Sequence, residues 1–338
     1  MPQVTILMPT YNVASYIDEA IDSVLRQRYR DFVLLVVDDA STDGTWERVC
    51  RYDDPRIRRV RHDSNLGLAD NLNSGLALVE TEYTARMDGD DIAEPDWLKS
   101  EVEFLDTHPD IGICGGGCEV FGSKNHTVLF PADAPSVAVN MLFECSLTVP
   151  TFRTSLIREY GLHYRDDAFP AEDYRFWVDC LQVTNICNIP RVLFHYRMHE
   201  RQISTALHDR QQQQSDAVRR IMLHRLNSNI SDSDTDYFLQ HYVPGKVSSL
   251  ADYRAMRRFS RRLIDMNRGS GYFNAAALRQ RCRHQEVQTL YQFVTQRYFP
   301  NGYSLRAYLR YLFSGCAWRT TLHYETRFLI KSILHRSA

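Results

Sequence analysis

FVLLVVDDASTDGT (residues 32–45) is an unbroken apolar run that ends in two acids and a turn. An apolar run of this length, bounded by turn residues, is a buried strand. The Ser-Asp-Gly turn after it reads as a strand-to-helix connection, with Ser41 or Asp43 as a cap for a short helix near 45–51. Working outward, VTILMP (4–9) is a second buried strand. It is followed by a helix with Ile17, Ala20, Ile21, Val24 and Leu25 on one face and Ser15 as its N-cap. IRRVRH (57–62) is a more exposed strand, LADNLNSGLALVE (68–80) a helix, and EYTARMD (82–88) a further buried strand. Strands alternating with helices at this spacing predict an α/β fold with a parallel, doubly wound sheet. Ligands bind such sheets at the carboxyl ends of the strands. Asp38 and Asp39 stand at one such end, and Asp88 to Asp91 at another.

The second cluster, ARMDGDDIAEPDWL (85–98), packs three carboxylates into four residues. At a spacing of about 4 Å and an effective dielectric of about 20, each close pair costs roughly 4 kcal/mol. Water, a helix cap or a shared cation relieves that cost. Asp91 suits a helix start, because a helical segment follows. Asp88 and Asp90, set around Gly89, suit a hard cation such as Mg²⁺ or Mn²⁺, which takes oxygen ligands and bridges to phosphates. Asp38 and Asp39 suit the hydrogen bonding of a base or ribose. The glycine-rich G-x-G-x-x-G loop is missing, so another device must neutralise phosphates, and a metal held by Asp88 and Asp90 would do so.

The bulk properties set the frame. The chain has 338 residues, 44% apolar and 24% charged, which is ordinary soluble globular composition and enough for two units. No apolar run reaches the length of a membrane span, and the N-terminus reads as a strand rather than a leader, which points to the cytoplasm. Eight cysteines without a CxxC pair read as reduced thiols. Residues 251–338 carry 16 Lys and Arg against 4 Asp and Glu, whereas the first 250 carry 24 against 38. Such asymmetry suggests two regions with different partners.

From 134 to 205 the pattern is mixed, with helices at 135–143 and 174–181 and a strand at 192–199. The chain is then helical and basic to its end. The boundary is drawn at 210: a catalytic domain over 1–210 and a helical, basic region over 211–338. SLRAYLRYLF (304–313) and RFLIKSILHR (327–336) form apolar stripes flanked by arginine and lysine. Such stripes serve packing on the catalytic domain, a homo-oligomer contact or an anionic membrane surface. No nucleic-acid motif accompanies the charge.

PTYN (9–12), DDASTDGT (38–45), NLG (65–67), DGDD (88–91) and AEDYRFW (171–177) occur in an order and spacing that resemble family 2 glycosyltransferases of the GT-A fold. The resemblance covers roughly residues 1–210 and is nearest to bacterial O-antigen and exopolysaccharide enzymes. It implies an inverting transfer of a sugar, with UDP as the favoured carrier (UDP-Gal, UDP-Glc or an N-acetyl form), assisted by Mn²⁺ or Mg²⁺. The implied acceptor is a glycan hydroxyl, carried on a lipid at the cytoplasmic face of the inner membrane. Residue by residue, Pro9 and Tyr11 line the base pocket, with Tyr11 stacking on the base. Asp39 bonds the base, Asp38 lies beside it, and Asn65 and Asn73 organise the loop and helix under the donor. Asp88 and Gly89 approach the ribose or the waters of the metal, and Asp90 is the direct metal ligand. Asp173 matches the general base, with Glu172 beside it. His199 matches a histidine that contacts metal or diphosphate. Arg197 and Arg201 either clamp phosphate or are solvated. A metal-dependent nucleotide-sugar phosphohydrolase, with Asp173 activating water, is the rival activity. Many relatives carry arginine where this chain has Leu72, a pattern closer to the branch with RMDADD, and the chain departs from that branch at Gly89, where alanine is frequent, and at Val149, where histidine is common, which leaves acceptor specificity open.

Overall fold

The computed structural model describes residues 2–199 and 202–298. The segments 304–313 and 327–336, and Arg201, lie outside the described residues. The chain forms two compact units that divide between Met222 and Leu223.

In the first unit the elements run β1 (Val4–Thr10), α1 (Ile17–Leu25), β2 (Phe32–Asp38), α2 (Thr45–Cys50), β3 (Ile57–Arg61), α3 (Leu68–Leu76), β4 (Tyr83–Arg86), β5 (Ile92–Ala93) and α4 (Trp97–Thr107). They continue with β6 (Ile111–Gly122), β7 (His126–Val128), α5 (Ala134–Asn140), β8 (Thr151–Arg153), α6 (Ser155–Tyr160), α7 (Glu172–Cys180), β9 (Asn185–Met198), α8 (Ile203–Ala206) and α9 (His208–Leu226), which runs past the division. Among the described residues nine strands form one sheet, ordered β3-β2-β1-β4-β8-β6-β9-β5, with β7 paired to β6.

β1, β2, β3 and β4 pair in parallel, as the alternation of strands and helices requires. Val4, Ile6 and Met8 of β1 and Leu34 and Val36 of β2 have no accessible surface, which is why these strands read as continuous apolar runs. The far half of the sheet is mixed: β8 is antiparallel to β4 and β6, while the long β9 is parallel to β6. Glycines in β6 permit that last pairing, since a Cβ on Gly116 would fall 2.5 Å from Leu193 Cδ1.

Several local expectations are corrected. α1 starts after Tyr16 with no side-chain cap, so Ser15 is not its N-cap. α3 ends at Leu76, short of residue 80. Asp91 caps no helix: α4 begins after Asp96, and Asp91 is buried, accepting from the backbone N–H of Arg197 at 2.8 Å. The second unit contains α10 (Asp232–Tyr237), α11 (Leu250–Ser270) and α12 (Ala275–Tyr298). Ser249 and Asp252 make a capping box that starts α11.

Candidate active site

The turns after β1 and β2 are sewn to each other. Asn12 N–H donates to Ser41 Oγ at 3.0 Å, Val13 N–H to Thr45 Oγ1 at 2.9 Å and Ala14 N–H to Asp43 Oδ2 at 2.9 Å. Asn12 Oδ1 accepts from Thr42 N–H at 2.9 Å. Asp43 also accepts from Thr45 N–H at 3.0 Å, but the N-cap of α2 is Gly44 and no side chain caps the helix, so neither Ser41 nor Asp43 takes the capping position expected of it. Asn12 and Ala40 sit at φ 54° and 58°, and Val149 at φ 40°. Non-glycine residues in this region store backbone strain and concentrate at functional sites.

Asp38 and Asp39 are buried at the end of this seam. Asp38 accepts from Thr10 Oγ1 at 3.2 Å and Ser41 N–H at 3.1 Å, and Arg61 Nε lies 3.4 Å away. Asp39 accepts from the N–H groups of Leu66 and Gly67 at 2.8 and 3.0 Å, so it holds the NLG segment in place. Asn65 Nδ2 donates to the Asp39 carbonyl at 3.4 Å. Asn73 pins α3 to Tyr164, with 2.8 Å bonds to both its carbonyl and its N–H. Pro9 is buried within β1, whereas Tyr11 is 49% exposed on the rim, its ring open to a planar partner.

The DGDD turn leaves β4 beside the turn after β1. Gly89 is wedged there, and a Cβ on it would fall 3.1 Å from Thr10 Cγ2 and 3.3 Å from Ile17 Cδ1. Asp90 Oδ2 faces His199 Nε2 at 3.1 Å, so these two converge as expected. Asp88 turns elsewhere: its Oδ1 lies 3.2 Å from Arg86 Nη2. Arg86 was not anticipated as a site residue. Its place two residues before Asp88 in the strand-end segment, hence on the same face, was the available signal. Arg197 neither floats in solvent nor points away. Its Nε donates to the Asp90 carbonyl at 2.8 Å, its Nη2 to Glu19 at 2.6 Å, and it lies over the rings of Tyr16 and Phe121.

Asp173 stands in the first turn of α7, where the helix dipole favours an anion, and its Oδ1 accepts from Tyr174 N–H at 2.6 Å. A small cavity brings Asp173 together with Arg86, Asp88, Asp91, Val149 and Trp177. Trp177 is core, stacked edge-on against Phe152, Tyr164 and Phe176.

Burial pushes the Asp88 carboxyl up, with Asp90 and Asp173 adding to it and Arg86 opposing it. Burial together with Asp90 and Asp88 holds Asp91 well above the usual carboxylate range. Burial and then Asp173 raise Glu172 to about 7. Although burial opposes its charge, Arg86 is held well above its ordinary value by Asp88, Tyr164, Asp173 and Glu172. Burial comes first in each of these carboxyl shifts and the neighbouring acids add to it, and a cation beside the cluster would offset that second part. Among the described residues no three His, Cys, Asp or Glu side chains form a complete cage. Asp90 and His199 supply two donors, which suits an ion whose remaining ligands are water and substrate phosphate. No helix among the described residues is long and apolar enough to cross a membrane.

The family model for glycosyl transferase family 2 matches residues 5–166. The chain is 32% identical over 235 residues to an uncharacterized glycosyltransferase of Haemophilus influenzae, covering 65% of this chain and 72% of that protein. It is 29% identical to WfgD of Escherichia coli, a UDP-Glc:alpha-D-GlcNAc-diphosphoundecaprenol beta-1,3-glucosyltransferase, over 60% of this chain and 79% of that one. Among solved structures, S. aureus TarS 1–349 in complex with UDP-GlcNAc superposes with a TM-score of 0.59 at 19% identity, covering 89% of this chain and 93% of that chain. That likeness shows the GT-A fold, and the sequence matches show the lineage: the chain belongs to the family 2 glycosyltransferases.

Proposed function

We propose that the protein is an inverting glycosyltransferase that moves a hexose from a UDP-sugar to a hydroxyl of a lipid-linked glycan. The observation that carries this reading is the cavity shared by Asp173 and the Arg86–Asp88 pair, with Asp90 of the same DGDD turn facing His199. The name of the Escherichia coli relative supports UDP-glucose and a diphosphoundecaprenol acceptor, and the TarS complex supports a UDP-sugar.

Tyr11 offers its exposed ring to the base. Asp39 already binds two backbone N–H groups. Each of its oxygens keeps a further lone pair for a base N–H. Asp90 and His199 would hold Mn²⁺ or Mg²⁺ against the diphosphate, supplying Lewis-acid stabilisation of the departing charge. Asp173 takes the proton of the acceptor hydroxyl. The oxygen attacks the anomeric carbon from the face opposite UDP, the bond to the diphosphate oxygen breaks with its electron pair, and the configuration inverts. One base suffices for a single displacement, and it contributes roughly 10²–10⁴-fold. An acceptor carried on a lipid diphosphate places the reaction at a membrane surface.

The test is transfer of labelled glucose from UDP-glucose to a synthetic α-GlcNAc diphosphate lipid by wild type and Asp173→Asn. Transfer that falls by about 10²–10⁴ in the variant supports the assignment. Release of UMP and glucose 1-phosphate without transfer would favour the phosphohydrolase instead.

A further inference from the structure

Glu101 lies in α4 with no accessible surface. Its Oε2 accepts from Trp97 Nε1 at 3.0 Å and from Thr151 Oγ1 at 2.7 Å. Its Oε1 is buried with no hydrogen-bond partner among the described residues. Burial holds the carboxyl well above the usual carboxylate range, although Thr151 and Trp97 pull the other way. A charged group in such a place is far costlier than a neutral acid.

Trp97 Nε1 has a second acceptor, the carbonyl of Val149, at 3.1 Å. Val149 is β-branched, sits at φ 40° and precedes Pro150. Each of these features disfavours the conformation, so the surroundings must impose it. The same turn is tied on its other side, where Arg86 N–H donates to the Pro150 carbonyl at 3.0 Å. Leu147, Thr148, Val149 and Pro150 line the cavity that contains Arg86, Asp88 and Asp173.

We propose that Glu101 is a positioning residue: acting through Trp97, it holds the Leu147–Pro150 turn as the wall against which the acceptor sugar lies beside Asp173. The acceptor part of this statement rests on the reading of Asp173 as the base. Glu101 accepts two hydrogen bonds and needs no charge to do so. Leucine at this position leaves Thr151 without that acceptor and Trp97 with Val149 alone. Glutamine keeps the accepting oxygen.

The test compares Trp97→Phe, Glu101→Leu and Glu101→Gln with wild type. The first readout is hydrogen exchange at the amide of Arg86, which donates to the Pro150 carbonyl of this turn. Loss of one net hydrogen bond predicts exchange about tenfold faster in Trp97→Phe and Glu101→Leu, confined to this amide, and no change in Glu101→Gln. The second readout is transfer to the α-GlcNAc diphosphate lipid. Acceptor KM rises about tenfold in the first two variants, while kcat and calorimetric UDP affinity in Mn²⁺ stay near wild type, and Glu101→Gln restores the wild-type KM. Unchanged exchange in both Trp97→Phe and Glu101→Leu overturns the proposal. So does Glu101→Gln behaving like Glu101→Leu, or Trp97→Phe loosening the whole sheet equally. A wild type silent toward this lipid contradicts the acceptor reading, and exchange alone then decides the role of Glu101.

Discussion

Arg86 Nη2 sits 3.2 Å from Asp88 Oδ1, and the arginine side chain is 10% exposed against 35% for the aspartate. This pair joins the DGDD turn to the cavity that holds Asp173. Removing one member strands a mostly buried charge. Arg86→Met is expected to lower unfolding free energy by roughly 2 kcal/mol, less than a fully buried pair because Asp88 is partly solvated. Adding Asp88→Asn recovers part of that stability without restoring turnover. Urea denaturation of the two variants checks this, and a double variant no more stable than Arg86→Met contradicts it.

Glu172 carries a pKa near 7, raised by burial and by Asp173. A raised acid binds its proton more tightly folded than unfolded. Its contribution to stability is therefore complete below the ordinary glutamate pKa of about 4.3 and is lost as pH rises through about 7. Glu172→Gln does not titrate. The stability of the variant relative to wild type is expected to climb between pH 5 and pH 7 and to level off above pH 8. Thermal melts across that range would show a flat difference if Glu172 were not perturbed.

Ala40 has φ 58° in the turn that follows Asp39. Its Cβ is strained there, and glycine removes the strain at the cost of a freer unfolded chain. Ala40→Gly is expected to leave stability unchanged or to raise it by up to about 1 kcal/mol. A clear drop in melting temperature would mean that the methyl group packs usefully.

Arg197 holds the Asp90 carbonyl and Glu19 at once. Arg197→Met is expected to weaken Mn²⁺-dependent UDP binding by about tenfold, the worth of one charge-assisted hydrogen bond. Binding measured without metal should barely move. Equal weakening in both conditions would assign Arg197 to the nucleotide itself.

Much of this was legible in the sequence, for definite reasons. β1, β2 and β4 announce themselves because both their faces are buried, and the acids at their ends mark where the sheet binds. The far half of the sheet was hidden. β6 contains Gly115 to Gly117 and looks like a loop, β5 has two residues, and β8 has three. The pairing of Asp39 with Leu66 and Gly67 spans 27 and 28 residues and has no local signature. Asp91 reads as a helix start because acids favour that position, yet its partner is the backbone of Arg197, 106 residues away. The strain at Val149 is equally invisible, because valine before proline suggests an extended chain.

The most direct test of the account is calorimetric titration of UDP, GDP, dTDP and CDP, with and without Mn²⁺, into wild type, Asp90→Ala and Asp173→Asn. The account predicts that UDP binds best, that Mn²⁺ strengthens binding, that Asp90→Ala abolishes the metal effect, and that Asp173→Asn binds like wild type. UDP binding indifferent to Mn²⁺ and to Asp90 would contradict it, leaving the three acids of the DGDD turn to the fold alone.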